Sequence, residues 1–154
     1  GIRYLCLSRG LGDVYKRQET VVPVCAPGLL DAPVDAAAEM LTHPLLHLET
    51  RPRGWARWLS AHGIEEAPQP GMMFDQFSTM AQAAIHGLGV ALLPTFFAEP
   101  YLTGGQLALA SKHTTQSIGS YYLVWPRERE MSGALTCFLD WLRIEVAEEA
   151  RGGV

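Results

Sequence analysis

Hydroxyl, amide and guanidinium side chains follow three apolar runs of the sequence, and these residues are the best suited to bind a ligand. Thr50 and Arg51 follow the first run, residues 75–78 follow the second, and Thr95 follows the third. If the runs are parallel strands, their carboxyl ends lie at one edge of the sheet, where open α/β sheets bind ligands. Free N–H groups at helix starts and the fork of the Arg51 guanidinium favour a carboxylate or a similar anion.

These residue types also have a purely structural interpretation. Serine and threonine at helix starts commonly cap the helix, and Asp75 or Ser78 can cap the start of the helix at 77–87. Arg53 and Arg57 fit a solvated face, and Trp55 and Trp58 lie on the apolar side of a short helix. No nucleophile has an identifiable base, and no two carboxylates are spaced for acid–base work. The pattern therefore predicts a binding site without catalytic residues.

Motifs of enzymes, cofactor sites and metal sites are absent from the sequence. It contains no G-x-S-x-G, no G-x-x-x-x-G-K-[ST] and no H-E-x-x-H. His43 and His47 have a four-residue spacing, but Pro44 between them favours an extended segment over a helix. Gly87 and Gly89 close a predicted helix and open a strand, which is the reverse of a dinucleotide fingerprint. We predict neither a metal nor a cofactor.

Composition restricts the class of protein. The 154 residues are 48% hydrophobic and 18% charged, which is typical of one soluble globular domain. The net charge is −4, and residues 1–18 carry +3, so residues 19–154 carry −7. This sign argues against contact with nucleic-acid phosphates. No apolar stretch is long enough to span a membrane, and three scattered cysteines favour a reducing, cytoplasmic compartment.

Hydrophobic periodicity predicts an α/β fold with a largely parallel sheet, because predicted strands alternate with helices. The clearest helix has an apolar stripe from Phe77 to Leu88 and precedes a strand that is apolar on both faces. Pro23 favours an edge or crossover position for the first strand. The predicted strands lie at 21–25, 45–48, 72–74, 90–93, 106–110 and 121–125, with a polar loop at 111–117. The predicted helices lie at 35–41, around Trp58, at 77–87, at 95–101 and at 132–149.

Seven segments, in unbroken order across residues 20–147, resemble the effector-binding domain of LysR-type transcriptional regulators. The most specific is the helix–turn–strand segment MAQAAIHGLGVALLP. Within the family, the sequence looks closest to the glycine-cleavage-activator-like branch. The seven segments are VVPVCAPGLL, HPLLHLE, WARWLSAHG, FDQFSTMAQAAIHGLGVALLP, GGQLALA, YYLVWP and ALTCFLDWL.

The resemblance implies a lobe similar to that of type-2 periplasmic binding proteins, with a mostly parallel sheet, at 19–126. It also implies a C-terminal helix at 127–150 that returns to a first lobe outside this chain, and a tail at 151–154. Residues 1–18 resemble translated adapter sequence and are predicted to be non-native. In such regulators an N-terminal winged helix-turn-helix binds DNA, and a small metabolite binds between two lobes of a dimer or tetramer. The DNA-binding domain would then lie outside this sequence.

The same resemblance adds candidate effector-binding residues to those expected from the strand ends. In the family, the start of the helix that corresponds to DQFST lines the effector cleft, and the turn after ALLP lies near it. The candidates are therefore Gln76, Phe77, Ser78 and Thr95 from the resemblance, and Thr50 and Arg51 from the strand-end rule.

Two other functions use the same two-lobed scaffold. A solute-binding protein of a transporter would carry a secretory signal and act outside the cytoplasm. An enzyme acting on small metabolites would need a general acid or base in the cleft. The segment GLGVALLP favours the regulator over both.

The last predicted helix carries an apolar stripe that would cover the absent first lobe. Without that partner, we expect the chain to be marginally stable or to associate through this helix. The stripe consists of Leu135, Phe138, Leu139, Leu142 and Val146.

Overall fold

A six-stranded sheet positions the residues of interest. The computed structural model of the chain describes residues 16–122 and 132–152, which fall into two units: Lys16–Tyr121, and one that contains the C-terminal helix. The sheet order is β3-β2-β4-β1-β5, and β6 also pairs with β1. The strands are β1 (Lys16–Cys25), β2 (Leu45–Leu48), β3 (Met73–Phe74), β4 (Val90–Pro94), β5 (Ala108–Leu109) and β6 (Thr115–Tyr122).

The predicted parallel arrangement is confirmed for the strands that precede the candidate residues. β2 runs parallel to β3, with His47 opposite Met73, and parallel to β4, with Leu45 opposite Val90. β1 is reversed and runs antiparallel to β4 and to β5. The carboxyl ends of β2, β3 and β4 therefore lie at the same edge of the sheet.

Helices cover both faces of this sheet, which explains why β2 and β4 are apolar without alternation. The helices are a 3-10 helix (Ala37–Thr42), α1 (Gly54–Ala61), α2 (Phe77–Ile85), α3 (Thr95–Thr103) and α4 (Gly133–Gly152). On one face, Leu45 and Leu92 pack with Trp55 and Trp58 of α1. On the other face, strand residues with the opposite parity, among them Leu46, Ala91 and Leu93, pack with Met80 of α2 and Ala98 of α3.

The turn between α2 and β4 confirms the interpretation of its two glycines. Gly87 has a φ of 77°, a left-handed conformation that favours glycine at a helix end. A Cβ atom at Gly89 would lie 2.5 Å from the carbonyl oxygen of Pro44, so a larger residue does not fit there. Leu88 between them is exposed and does not continue the apolar stripe.

The strand with Pro23 is not an edge strand. Pro23 lies opposite Leu92 inside the sheet. Its carbonyl oxygen accepts a hydrogen bond of 2.9 Å from the Ala110 N–H, just beyond the end of β5. The absent N–H of Pro23 faces that same side, because the N–H and C=O of a strand residue point the same way. Pairing with β4 therefore loses no hydrogen bond at this proline.

The last strand was placed too late in the sequence-based prediction. β6 begins at Thr115, within a segment expected to be a loop because of its polar residues. Pairing with the long strand β1 determines its position instead, and this pairing is not visible in local sequence. Of the predicted strand at 121–125, residues 123–125 lie outside the described residues.

The apolar side chains of helix α4 differ in how far they are exposed. Leu139 is buried and Leu135 and Leu142 are half-buried, whereas Phe138 and Trp141 are exposed with their ring centroids 5.9 Å apart. The side chain of Val146 lies outside the described part of the chain. Marginal stability and association through α4 remain predictions.

Candidate functional site

A cleft of about 720 Å³ opens at the carboxyl end of β2. Its walls come from β2, from the turn and helix that follow it, and from the start of α2. Three of the predicted residues, Thr50, Arg51 and Phe77, line it. The described residues that line it are Val21, Leu46, His47, Leu48, Thr50, Arg51, Pro52, Arg53, Gly54, Trp55, Arg57, Trp58, Ala61, Phe77, Met80, Leu92, Thr115 and Gln116.

Arg51 is held by a carboxylate of the protein. Its Nη2 donates a hydrogen bond of 3.0 Å to Oε2 of Glu19, and its Nη1 donates to Oε1 of the same residue. Arg51 was expected to form a bidentate pair with a ligand, and in the structure Glu19 occupies that geometry. The Glu19 side chain is fully buried, whereas 33% of the Arg51 side chain is exposed. The pair thus places a charge-balanced guanidinium at the wall of the cleft.

Phe77 contacts the same guanidinium from a different element. The Cζ atom of Arg51 lies 5.0 Å from the centroid of the Phe77 ring, within the range of a cation–π interaction. Phe77 is the first residue of α2, so Arg51 connects β1, the turn after β2 and the start of α2.

The other predicted residues lie at helix starts but not on the cleft wall. Gln76 is the N-cap of α2 and makes no capping side-chain bond, and Ser78 Oγ donates to Gln76 Oε1 over 3.4 Å. Thr95 is the half-buried first residue of α3. The expected capping of α2 by Asp75 or Ser78 is not present; Asp75 accepts a hydrogen bond from Thr79 instead.

Sequence reasoning missed Glu19. Arg53 and Arg57 are exposed, as the solvated-face interpretation expected, yet both border the cleft. Trp55 and Trp58 are fully buried core residues, as the structural interpretation expected, yet both also border the cleft. Arg53 and Arg57 are four residues apart, the spacing that places side chains on one face of a helix. Glu19 lies two residues before the apolar half of β1, and a charged side chain beside an apolar run is the sequence signal that could have pointed to a buried ion pair.

The cleft carries a net positive charge. In the part of the chain that the structure describes, Arg53 and Arg57 form no ion pair, whereas the charge of Arg51 is balanced by Glu19. Within residues 16–122 and 132–152, no acidic side chain lines the cleft. Helices α1, α2 and α3 each begin after one of the three parallel strands, and none of the three starts has a side-chain cap. This arrangement favours an anion.

Trp58 connects the cleft to a pair of histidines. Its indole N–H donates to the carbonyl oxygen of His113 over 3.2 Å, and the His62 ring stacks on it with centroids 4.6 Å apart. The two histidine rings meet edge-on at 5.0 Å. Burial lowers the pKa of His62 below its usual 6.5, and the nearby His113 lowers it further. Protonation of His62 is therefore less favourable in the folded protein than in the unfolded chain.

Two further observations concern the described ranges, 16–122 and 132–152. No three histidine, cysteine, aspartate or glutamate side chains there are grouped to hold a metal ion. None of the helices in these ranges has the length and apolar character needed to cross a bilayer. His47, one of the two histidines with four-residue spacing, instead contacts the carbonyl oxygen of Gln69 through Nε2 at 3.3 Å.

Comparison with known proteins gives one consistent result. The sequence profile of the LysR substrate binding domain matches residues 10–147. The transcriptional activator AmpR of Rhodobacter capsulatus is 37% identical over 134 residues, which cover 83% of this chain and 43% of that protein. The glycine cleavage system transcriptional activator of Escherichia coli K12 is 31% identical over 134 residues, 85% of this chain and 44% of that protein. The chain thus spans less than half the length of these relatives.

Solved structures agree with the sequence comparison. The effector domain of the transcriptional regulator AmpR of Pseudomonas aeruginosa superimposes with a TM-score of 0.76 at 28% identity, covering 91% of this chain and 68% of that one. The AmpR effector binding domain from Citrobacter freundii gives 0.72 at 26% identity, covering 90% and 70%. Both are domains of regulators, not of transporters or enzymes.

Proposed function

Because the chain belongs to the LysR substrate binding domain family, we propose that it is the part of a DNA-binding transcription regulator that senses a small anionic metabolite, and that the metabolite binds in the cleft at the carboxyl end of β2. The family establishes an effector-binding domain. The charge of the ligand and the location of its site are our proposal.

The observation that carries the proposal is the net positive charge of the cleft. Three arginines line it, and only one of them is balanced by a carboxylate within the described residues. The remaining positive charge lies beside the uncapped start of α1, where backbone N–H groups add to it. Apolar walls from Leu48, Trp55 and Trp58 lower the local dielectric and strengthen the attraction. A small carboxylate with a short apolar body fits this environment.

We propose sensing without catalysis. The hydroxyl of Ser78 lies against the amide oxygen of Gln76, which cannot act as a general base. Among the described residues no carboxylate lines the cleft to act as a general acid, and the Nε2 atom of His47, a histidine of the lining, contacts the carbonyl oxygen of Gln69. The two alternatives from the sequence, a transporter's binding protein and an enzyme, have no specific observation in their favour.

The remaining parts of the regulator are proposed by extension from the family. DNA binding would belong to a separate N-terminal domain, in agreement with the charge of −7 on residues 19–154. The ligand-binding lobe would comprise residues 19–126, and the helix at 127–150 would return to another lobe. The intact regulator would act in the cytoplasm as a dimer or tetramer.

Calorimetric titration tests the anion proposal. We expect succinate to bind the purified chain at millimolar concentration or better, and its affinity to fall as salt rises, because charges in a partly open cleft are screened. Succinamide has the same length and no charge, and putrescine carries the opposite charge. Binding of either of these, with no binding of succinate, would overturn the proposal.

A further inference from the structure

We propose that Glu19 is a positioning residue that fixes Arg51 at the cleft wall and balances its charge, so that Arg53 and Arg57 determine the charge of the preferred ligand. This inference rests on the function proposed above. It predicts a preference for ligands with two negative charges over ligands with three.

The first step is the burial of Glu19. Its side chain is fully inaccessible, at the entry to a strand whose buried residues Val21, Val22 and Val24 are apolar. A buried carboxylate is unfavourable unless a cation and hydrogen bonds compensate it. Arg51 provides both, since each of its two Nη atoms donates to a different oxygen of the carboxylate.

The second step is the rigidity of Arg51. The guanidinium is planar, so a bidentate bond fixes both its position and its orientation. The Phe77 ring, 5.0 Å from Cζ, packs on its face. Residues on three elements (β1, the turn after β2, and the start of α2) therefore determine where this side chain lies. Lysine, with one flexible ammonium, would not satisfy the same contacts.

The third step is the charge that a ligand meets. Arg51 borders the cleft, but the Glu19 carboxylate balances its charge. Arg53 and Arg57 line the same cleft with no carboxylate partner among the described residues. Two negative charges on a ligand would balance Arg53 and Arg57. A third negative charge on the ligand would have no unbalanced cation to pair with.

The test uses two related carboxylates and one nearly isosteric variant. Tricarballylate is succinate with one additional carboxymethyl group. We expect the wild-type chain to bind tricarballylate no more tightly than succinate. Glu19→Gln removes the balancing charge and exposes the ligand to a third cation. It should improve the affinity for tricarballylate relative to succinate about five- to tenfold.

A second variant separates charge from structure. Glu19→Gln combined with Arg51→Gln replaces the ion pair with two amides and restores the wild-type net charge. It should return the ratio of the two affinities to the wild-type value. Equal weakening of both ligands by Glu19→Gln, or a double variant whose ratio differs from wild type, would overturn the proposal. Where the single variant does not fold, the ratio of the double variant decides.

A measurement without ligand tests the positioning role directly. In the wild-type chain, ¹⁵N NMR should show slow rotation about the Nε–Cζ bond of Arg51, and faster rotation in Glu19→Gln. Equal rotation rates in the two proteins would contradict the positioning role. Failure of both carboxylates to bind the wild-type chain would overturn the proposed anion site, while the NMR comparison would still decide the role of Glu19.

Discussion

The turn after β2 and the start of α2 lie at the same sheet edge, yet they differ in chemistry. The first, together with the start of α1, carries Arg51, Arg53 and Arg57 within seven residues. The second carries Gln76 and Ser78, whose side chains bond to each other and do not reach the cleft wall. Resemblance to a family drew attention to the second segment, whereas the charge lies at the first; the second adds Phe77 to the wall of the same cleft. An uncapped helix start becomes a site only where side chains add charge and walls.

The largest effect expected from this comparison is on stability. Trp58 of α1 is fully buried and its indole N–H is bonded to the carbonyl oxygen of His113, whereas Phe77 of α2 is half-buried. Trp58→Ala should lower the free energy of unfolding by about 3–5 kcal/mol. Phe77→Ala should lower it by about 1–2 kcal/mol. Urea denaturation followed by circular dichroism measures both. Equal losses would show that the two segments are anchored alike.

The next effect is on ligand affinity. Arg53→Gln combined with Arg57→Gln removes both unbalanced cations of the cleft, and should weaken succinate binding about tenfold or more. Gln76→Ala combined with Ser78→Ala should change it less than about twofold, because neither side chain lines the cleft.

Lys112→Gln provides the matched control for this experiment, since it removes an exposed cation that does not line the cleft. Titration calorimetry at fixed ionic strength compares the variants. If the double variant of Gln76 and Ser78 weakened succinate binding more than the double variant of the two arginines, the site would lie at the start of α2 and not at the turn after β2.

Local sequence predicted the scaffold of this edge better than its contacts. An apolar run predicts strand β2 at Leu45–Leu48, and glycine, which tolerates a left-handed φ, predicts the turn after α2. Both are local properties of the sequence. The pairing of Glu19 with Arg51 joins residues 32 positions apart, and the position of β6 depends on β1. Both result from tertiary packing, which no spacing in a single sequence encodes. The sequence contains both residues of the pair, but it does not show that they lie close enough to bond.

The smallest effect concerns the far end of α1, where His62 is the C-cap and contacts Trp58. Its pKa is lowered by burial and by His113, so the unfolded chain takes up a proton more readily than the folded one. The stability that neutral His62 contributes is complete above its usual pKa of 6.5, and it is lost as the pH falls below that value toward the folded pKa.

The urea midpoint should therefore fall between pH 7.5 and pH 5.5, and less so in His62→Gln. His86→Gln removes an exposed histidine from the C-cap of α2 and is the matched control. If the urea midpoint of His62→Gln fell with pH as steeply as that of the wild type, the loss of stability in acid would arise from another group. The end of α1 would then be no more sensitive to acid than the end of α2.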